Sequence, residues 1–312
     1  MRVAKAFSPC GISSFFEVPD LGVKDPRLVG SRGGGFCVDR GVWVRVSVEP
    51  LDGTEGHVVK TYLNGEERNM YVAKAAALEV LRLARGFYRV IIEQNIGCPI
   101  GCGFGTSGAS ALATAIALSK ALNLKLSLWD VAEVAHVVEV ECRTGLGTVS
   151  GLITGGVVVV KRPGAPREGS TLRIPFNEEG LKIVAASFRP VDKRQVLLSR
   201  DALNRINEIG RVALREVLLK PELNTFLKAA KFFTEEAGLA SPIVRKAIKI
   251  AESRGALVAL QNMVGEAIHA LVPPHRIEEV KDALSELNAQ ILTMDVYNWE
   301  TCPLNVPPNP SL

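Results

Sequence analysis

The glycine-rich stretch at residues 96–108 points most directly to chemistry. It reads Ile-Gly-Cys-Pro-Ile-Gly-Cys-Gly-Phe-Gly-Thr-Ser-Gly, so five of its thirteen residues are glycine. Glycines let backbone N–H groups approach a ligand closely, and the free N–H groups at the start of a following helix favour an anion. The stretch therefore predicts a phosphate-binding loop. The alternative is a loop whose glycines only permit tight packing.

Three known loops match this stretch incompletely. Residues 103–108 have the glycine spacing of a Walker A loop, but Ala109 stands where that loop requires lysine. The same residues fit the dinucleotide-binding pattern G-x-G-x-x-G, yet no strand ending in an acidic residue follows about 20 residues later. Residues 105–109 approach the nucleophile elbow G-x-S-x-G but end in alanine, and its histidine would have to be His269 or His275.

A fourth pattern fits the longer segment 99–109, Pro-Ile-Gly-Cys-Gly-Phe-Gly-Thr-Ser-Gly-Ala. It resembles the phosphate-binding motif P-x-G-x-G-L-G-S-S-A of the GHMP kinases, which include galactokinase, homoserine kinase, mevalonate kinase and phosphomevalonate kinase. The resemblance implies an enzyme that uses ATP and Mg²⁺, with the loop-end hydroxyls of Thr106 and Ser107 reaching the metal. The residues implied to surround the ATP phosphates are Pro99, Gly101, Gly103, Gly105, Thr106, Ser107 and Gly108.

The same resemblance implies a carboxylate on the following helix that completes the Mg²⁺ shell. The helix opened by Ser127 offers Glu133, Glu139 and Glu141. Glu133 points away from the apolar face of the helix, whereas Glu139 and Glu141 lie at its two edges. Glu139 precedes the turn at 144–147 by the interval typical of the family, so it is the predicted metal ligand. An exposed charge or a salt bridge is the alternative.

The resemblance also indicates the class of substrate. The segments similar to a branch of the family that phosphorylates a small hydroxy acid are residues 6–16, 30–35, 144–147 and 262–265. The carboxylate of such an acid calls for a cation, and arginine binds both of its oxygens.

Arg32 lies among the glycines of 30–35, where a ligand can approach closely, and is the predicted carboxylate partner, with Ser31 beside it. Ser13 and Ser14 are the candidates for bonding the substrate hydroxyls. A surface-loop charge for Arg32, and a simple strand end for the two serines, are the alternatives.

Two positions depart from the family pattern. Mevalonate-kinase-like members carry a lysine near the N-terminus where this chain has Gly11, and an aspartate at or near the position of Thr148. A general base is therefore not visible, as in homoserine-kinase-like members, and phosphoryl transfer tolerates this because alignment and charge neutralisation dominate.

The C-terminal glycine motif is reduced to Gly265 and its neighbours. A homoserine- or mevalonate-type kinase and a non-catalytic nucleotide-binding sensor stay open.

The predicted strands and helices that must position these residues indicate an α+β fold, which we expect to form two domains. The resemblance implies an ATP-binding domain over 1–178 and a ferredoxin-like domain over 179–312. The predicted strands are 3–7, 42–48, 57–63, 88–93, 153–161, 181–188 and 290–296, and the predicted helices are 70–83, 107–122, 127–143, 201–219, 221–237, 242–254 and 273–288. Residues 57–63 are expected to pair with 42–48 because the Asn64–Gly65 turn follows them. Residues 162–169 are a predicted linker, and the period of 257–271 is ambiguous.

Composition limits the remaining classes. The 312 residues are 47% hydrophobic with a net charge of +4 and no basic cluster, which predicts a globular protein without a nucleic-acid partner. No apolar run approaches the roughly 20 residues of a membrane helix and no secretory signal is visible, so we expect a cytoplasmic protein. The six cysteines, Cys98 and Cys102 included, are expected to be buried small residues rather than a zinc site. A homodimer would use Val42–Val48 as an edge strand.

Overall fold

The computed structural model describes residues 1–19, 22–52, 56–176, 180–191 and 200–298. The strands are β1 (Arg2–Glu17), β2 (Arg32–Leu51), β3 (Val58–Leu63), β4 (Glu66–Glu67), β5 (Phe87–Ile96), β6 (Val157–Arg162), β7 (Ser170–Ile174), β8 (Lys182–Arg189), β9 (Val258–Gln261), β10 (Glu266–Val272) and β11 (Gln290–Met294). The helices are α1 (Tyr71–Leu81), α2 (Thr106–Ala121), α3 (Leu128–Glu141), α4 (Thr148–Thr154), α5 (Arg200–Leu219), α6 (Leu223–Glu236), α7 (Pro242–Ser253) and α8 (Ile277–Ser285). The tail from 302 and the domain boundary at 178 lie outside the described residues.

Among the described residues, the first sheet has seven strands in the order β4-β3-β5-β2-β6-β7, with β1 also paired to β2. The long strand β2 is its centre, because its second half pairs with both β1 and β5 while its first residues pair with β1 and β6. The predicted strand Val42–Val48 is therefore interior. The expectation that it forms a dimer through a free edge is wrong.

The predicted pairing of residues 57–63 with 42–48 is also wrong. β3 pairs parallel with β5, and the turn at Asn64 and Gly65, both at positive φ, reverses the chain into the short β4. Helix α1 then crosses over the sheet to β5, and such a crossover is what a parallel pair requires.

The predicted strand 153–161 begins later than expected. Residues 148–154 form α4, and the chain leaves that helix through Gly155 and Gly156, at φ 70° and 75°, before β6 begins. The predicted linker at 162–169 connects β6 to β7 in the same antiparallel pair, so it is an internal connection of the first sheet.

The second sheet is antiparallel in the order β11-β8-β10-β9. Helices α5, α6 and α7 connect β8 to β9, and α8 connects β10 to β11, which gives the ferredoxin-like arrangement expected from the sequence. The ambiguous segment 257–271 is a pair of strands, β9 and β10, joined by a turn at 262–265. That turn projects towards the glycine-rich loop.

One hydrophobic core connects the two sheets. Phe226 of α6 packs against Phe15 of β1 and Phe36 of β2, with both pairs of ring centroids 5.4 Å apart. Asn207 of α5 adds two hydrogen bonds to the main chain of Val18, accepting from its N–H at 2.7 Å and donating to its carbonyl oxygen at 2.9 Å. No helix within the described ranges is long and apolar enough to cross a membrane.

Candidate active site

The glycine-rich loop connects β5 to α2 and bends where the sequence predicts it. Gly101, Gly103 and Gly105 adopt φ values of 80°, 82° and 61°, in the left-handed region that side chains other than glycine enter at a cost. Gly105 is the N-cap of α2, so the first free N–H groups of that helix follow the loop directly. A side chain at Gly105 would collide with Thr148, 2.6 Å from where its Cβ would lie.

The turn at 262–265 supports the other side of this loop. A Cβ on Gly103 would lie 2.8 Å from Asn262, and one on Gly265 would lie 2.5 Å from the main chain of Cys102. The Asn262 amide also donates to the carbonyl oxygen of Cys102 at 3.3 Å. What remains of the C-terminal glycine motif therefore packs against the glycine-rich loop and supports it.

A buried histidine extends this support into β1. His269 contacts Asn262 Oδ1 through Nδ1 at 2.8 Å and Ser14 Oγ through Nε2 at 3.0 Å. Burial lowers the pKa of His269 to about 3, so its ring is neutral in the folded protein. Because the Ser14 hydroxyl points into this network and is fully buried, the prediction that Ser14 bonds the substrate is wrong. His269 also does not pair with Ser107, as a nucleophile elbow would require.

Glu139 and Ser107 meet at the start of α2. Ser107 Oγ donates to Glu139 Oε1 at 2.8 Å, and Glu139 is only 2% exposed although it carries a carboxylate. Its carboxylate fits closely between Gly108 and Gly145, where a Cβ at either position would overlap it. Glu141 is exposed and Glu133 half-buried, so of these three carboxylates Glu139 is the one that meets the start of α2.

A pocket of about 330 Å³ opens beside the end of the glycine-rich loop, where Thr148 of its lining packs against Gly105. Its walls come from β1, the start of β2, the turn at 143–148 and the turn at 262–265. Of the residues described here, Arg32 and Arg143 are the only charged side chains that line it, and no aspartate, glutamate, histidine or lysine does so. The pocket is therefore suited to a small anionic molecule.

Arg32 is held at this pocket by a buried carboxylate. Its guanidinium lies 2.6 Å from Glu17 Oε1, and the side chain of Glu17 is completely buried at the end of β1. Arg211 of α5 approaches the other carboxylate oxygen at 3.6 Å. The predicted glycine loop around Arg32 is the beginning of β2, and Gly33 and Gly35 allow β1 to pass so close that side chains there would overlap its carbonyl oxygens. Arg32 Nε is buried without a hydrogen-bond partner in this structure.

The remaining predicted residues divide between the pocket and its surroundings. Ser13 and Ser31 line the pocket, and Ser31 Oγ lies against Gly147. Gly11 and Thr148, at the positions where related kinases carry lysine and aspartate, also line it and supply no titratable group. Thr106 is buried at the first turn of α2. No group of three or more potential metal-ligating side chains occurs in the described part of the chain, and Cys98 and Cys102 are buried.

Sequence reasoning missed four residues that shape this site. Glu17 and Asn262 act through partners far away in sequence, which no local pattern reveals. His269 was weighed only as part of a hydrolase site. Arg143 carried a detectable signal, because it is an arginine at the end of a helix directly before the Gly145 turn.

Comparisons with known proteins agree with this architecture. Residues 70–156 match the family described as the N-terminal domain of GHMP kinases. A solved structure described as a phosphotransferase related to the CoA biosynthesis pathway superposes with a TM-score of 0.84 at 28% identity, covering 95% of this chain and 96% of that one. A curated relative from Thermococcus kodakarensis is 31% identical over 94% of this chain and 95% of its own length, and one from Methanocaldococcus jannaschii is 30% identical over 93% and 100%.

The chain therefore belongs to the GHMP kinase family. Both curated relatives carry the name pantoate kinase, so this is the branch of the family that the chain resembles along nearly its whole length.

Proposed function

We propose that the chain transfers the γ-phosphoryl group of ATP to a hydroxyl of pantoate, giving 4-phosphopantoate and ADP, a step of coenzyme A synthesis. A bond forms between the pantoate oxygen and the γ-phosphorus, and the bond from that phosphorus to the bridging oxygen of ADP breaks. ADP leaves with the bonding electron pair, and the hydroxyl proton passes to a phosphate oxygen or to water. One observation carries the proposal: a small pocket has arginines and no carboxylate in its lining, and Gly11 and Thr148 of that lining pack against Gly105 at the end of the glycine-rich loop.

The residues beside the loop fit a nucleotide with Mg²⁺. Mg²⁺ is commonly bound through one or two carboxylates together with substrate phosphates and water. The Glu139 carboxylate and the Ser107 hydroxyl, 2.8 Å apart, are ligands of this kind, and Thr106 precedes Ser107 in the same turn. We assign metal binding to these residues and phosphate binding to the backbone of residues 99–108. When bound, the metal would neutralise charge on the phosphates.

Arg32 is assigned to the pantoate carboxylate, with Ser13 and Ser31 as the nearby hydroxyls. Glu17 fixes the position of the guanidinium, which leaves its remaining N–H groups to face the pocket. Because none of the described pocket side chains can serve as a base near neutral pH, the site acts by alignment and by neutralising charge.

The direct test is ADP formation with pantoate, homoserine and mevalonate offered separately to the purified protein with ATP and Mg²⁺. Turnover with pantoate well above that with the other two alcohols is the expected result. Turnover with homoserine or mevalonate instead would assign another kinase of the same family. Nucleotide binding without turnover of any alcohol would indicate a sensor.

A further inference from the structure

Arg143 occupies a backbone position that arginine disfavours. Helix α3 ends at Glu141, and Arg143 follows at φ 56°, in the left-handed region. Its N–H donates to Val140 O at 3.1 Å and the N–H of Thr144 donates to Glu139 O at 3.0 Å, the two hydrogen bonds of a Schellman motif. Glycine is preferred at this position because it has no Cβ, and asparagine is the usual second choice.

The rest of the chain follows that preference. Across the described residues, the other non-glycine residues at positive φ are all asparagines: Asn64, Asn123 and Asn288. Helix α2 ends with the same pair of hydrogen bonds, from Asn123 to Lys120 and from Leu124 to Ser119, both at 3.0 Å. The backbone at Arg143 therefore gives no reason for an arginine, so the reason must lie in its side chain.

That side chain lines the substrate pocket and brings positive charge to it. The other arginine of the pocket, Arg32, is already matched by Glu17 at 2.6 Å. Arg143, by contrast, forms no ion pair within 4 Å with any carboxylate in the described ranges. Backbone strain at a ligand site commonly reflects a functional requirement. The positive charge of the pocket that is not neutralised by an ion pair thus comes from Arg143.

Arg143 also begins the turn that packs against the Glu139 carboxylate at the start of α2. Thr144 and Gly145 follow it directly, and Gly145 packs against the Glu139 carboxylate, which accepts the hydrogen bond from Ser107. Arg32 enters from the start of β2, where Glu17 holds it. The two cations therefore approach a bound substrate from different elements, and Arg143 belongs to the one that carries Glu139.

We propose that Arg143 binds the phosphoryl group during its transfer, and the phosphate of the product afterwards, while Arg32 binds the carboxylate. This inference rests on the proposed function. The charge of a phosphoryl group in transfer is spread over its equatorial oxygens, and a guanidinium fork matches two of them. Arg143 forms and breaks no covalent bond and takes no proton. It supplies the charge stabilisation that a site without a base requires.

Kinetics and thermal unfolding of Arg143→Gly test this proposal, with Asn123→Gly as the matched control in the same helix-ending motif. Arg143→Gly should lower kcat about ten- to a hundredfold, the loss expected for a charged hydrogen bond, while the melting temperature stays equal or rises. Asn123→Gly should change kcat less than about twofold because it touches no pocket. Unchanged kcat for Arg143→Gly would overturn the proposal.

Binding measurements separate the two arginines. By calorimetry, Arg143→Gly should weaken the binding of 4-phosphopantoate about tenfold or more and the binding of pantoate less than about threefold. Arg32→Lys should weaken the binding of both ligands. Equal losses for both ligands in Arg143→Gly would place this residue on the carboxylate and overturn the assignment.

Inorganic phosphate in the presence of ADP and Mg²⁺ gives a readout that does not depend on pantoate. Wild type should bind it at least about tenfold more tightly than Arg143→Gly. If wild type fails to phosphorylate pantoate but keeps this difference, only the proposed substrate fails. If the difference is absent, the assignment of Arg143 fails.

Discussion

The hydrogen bond from Ser107 to Glu139 joins two of the residues to which we assign metal binding. Each charge-assisted interaction is worth about 1.5–3 kcal/mol, and each 1.4 kcal/mol is about tenfold in rate. We therefore expect Ser107→Ala, Thr106→Ala and Glu139→Gln each to lower kcat about ten- to a hundredfold, measured by ADP release over a range of Mg²⁺ concentrations.

The exposed Glu141 on the same helix is the control, and Glu141→Gln should leave kcat unchanged. If Glu139→Gln keeps its full rate at limiting Mg²⁺ while Glu141→Gln does not, the metal assignment moves to Glu141.

Substitution of Arg32 should affect the acid substrate and spare the nucleotide. Arg32→Ala should lower kcat/KM for pantoate about thirty- to a thousandfold, because a bidentate charged contact is lost, and should change the KM for ATP little. Arg32→Lys keeps the charge beside the buried Glu17 and should lose less, which separates substrate binding from folding. The kcat/KM for an analogue with an alcohol in place of the carboxylate should hardly change in Arg32→Ala. An increased KM for ATP would contradict this role.

No carboxylate, histidine or lysine lines the described pocket, and burial raises the pKa of the Cys37 thiol there to about 12, which together predict a particular pH profile. The kcat of the wild type should show no steep acid limb that can be assigned to a catalytic carboxylate or histidine. Because Glu139 is itself a proposed Mg²⁺ ligand, the pH profile of kcat should be recorded at saturating Mg²⁺. A single Asp or Glu variant at a position other than Glu139 that binds both substrates normally but does not turn over would refute a base-free mechanism.

At the scale of elements, β10 supports the phosphate loop through His269 and Asn262. Burial holds the pKa of His269 at about 3, below the ordinary 6.5, so the unfolded chain binds a proton that the folded one does not between these values. The contribution of His269 to the free energy of unfolding is therefore fully present above pH 6.5. It falls as the pH is lowered towards 3, by up to about 1.4 kcal/mol per pKa unit.

Denaturant unfolding at several pH values checks this. His269→Gln should flatten the loss of stability below pH 6.5 and raise the KM for ATP, since the loop loses its support. His136→Gln provides the comparison, because burial also lowers the pKa of His136 but its ring contacts the carbonyl of Val29, away from the loop. An equal effect of both variants on the KM for ATP would argue against loop support by His269.

Glycine spacing indicated the loop, and helical phase placed Glu139 at the edge of the apolar face of its helix. The ferredoxin-like sheet was implied only by the family resemblance, because the period of 257–271 did not identify β9 and β10. Sequence reasoning failed where a partner is distant in sequence. The Asn64–Gly65 turn is a genuine turn, but local chemistry does not say which strand lies beside β3. Ser13 and Ser14 are neighbours where the pairing of β1 with β2 is irregular, and only Ser13 lines the pocket while Ser14 contacts His269. The ion pairs of Glu17 with Arg32 and Arg211 are visible only in the structure, because these partners are distant in sequence.

For the whole molecule, the packing of Phe226 between Phe15 and Phe36 predicts a single unfolding transition. Phe226→Ala should cost about 3–5 kcal/mol and shift that transition without dividing it. Phe232→Ala on the same helix, where the side chain is 38% exposed, is the control and should cost much less. Tryptophan fluorescence and helical circular dichroism should give the same midpoint in urea. Separate midpoints would mean that the two sheets unfold independently.

This shared core limits how the gene can be divided. A cut between β7 and β8 falls between the two sheets in sequence, yet it leaves Phe15 and Phe36 on one fragment and Phe226 on the other. Each fragment made alone would expose apolar surface that the intact chain buries, and neither would keep both the phosphate loop and the turn at 262–265 that supports it. Kinase activity from a split gene would therefore require both fragments to be made together in one cell and to reassemble there.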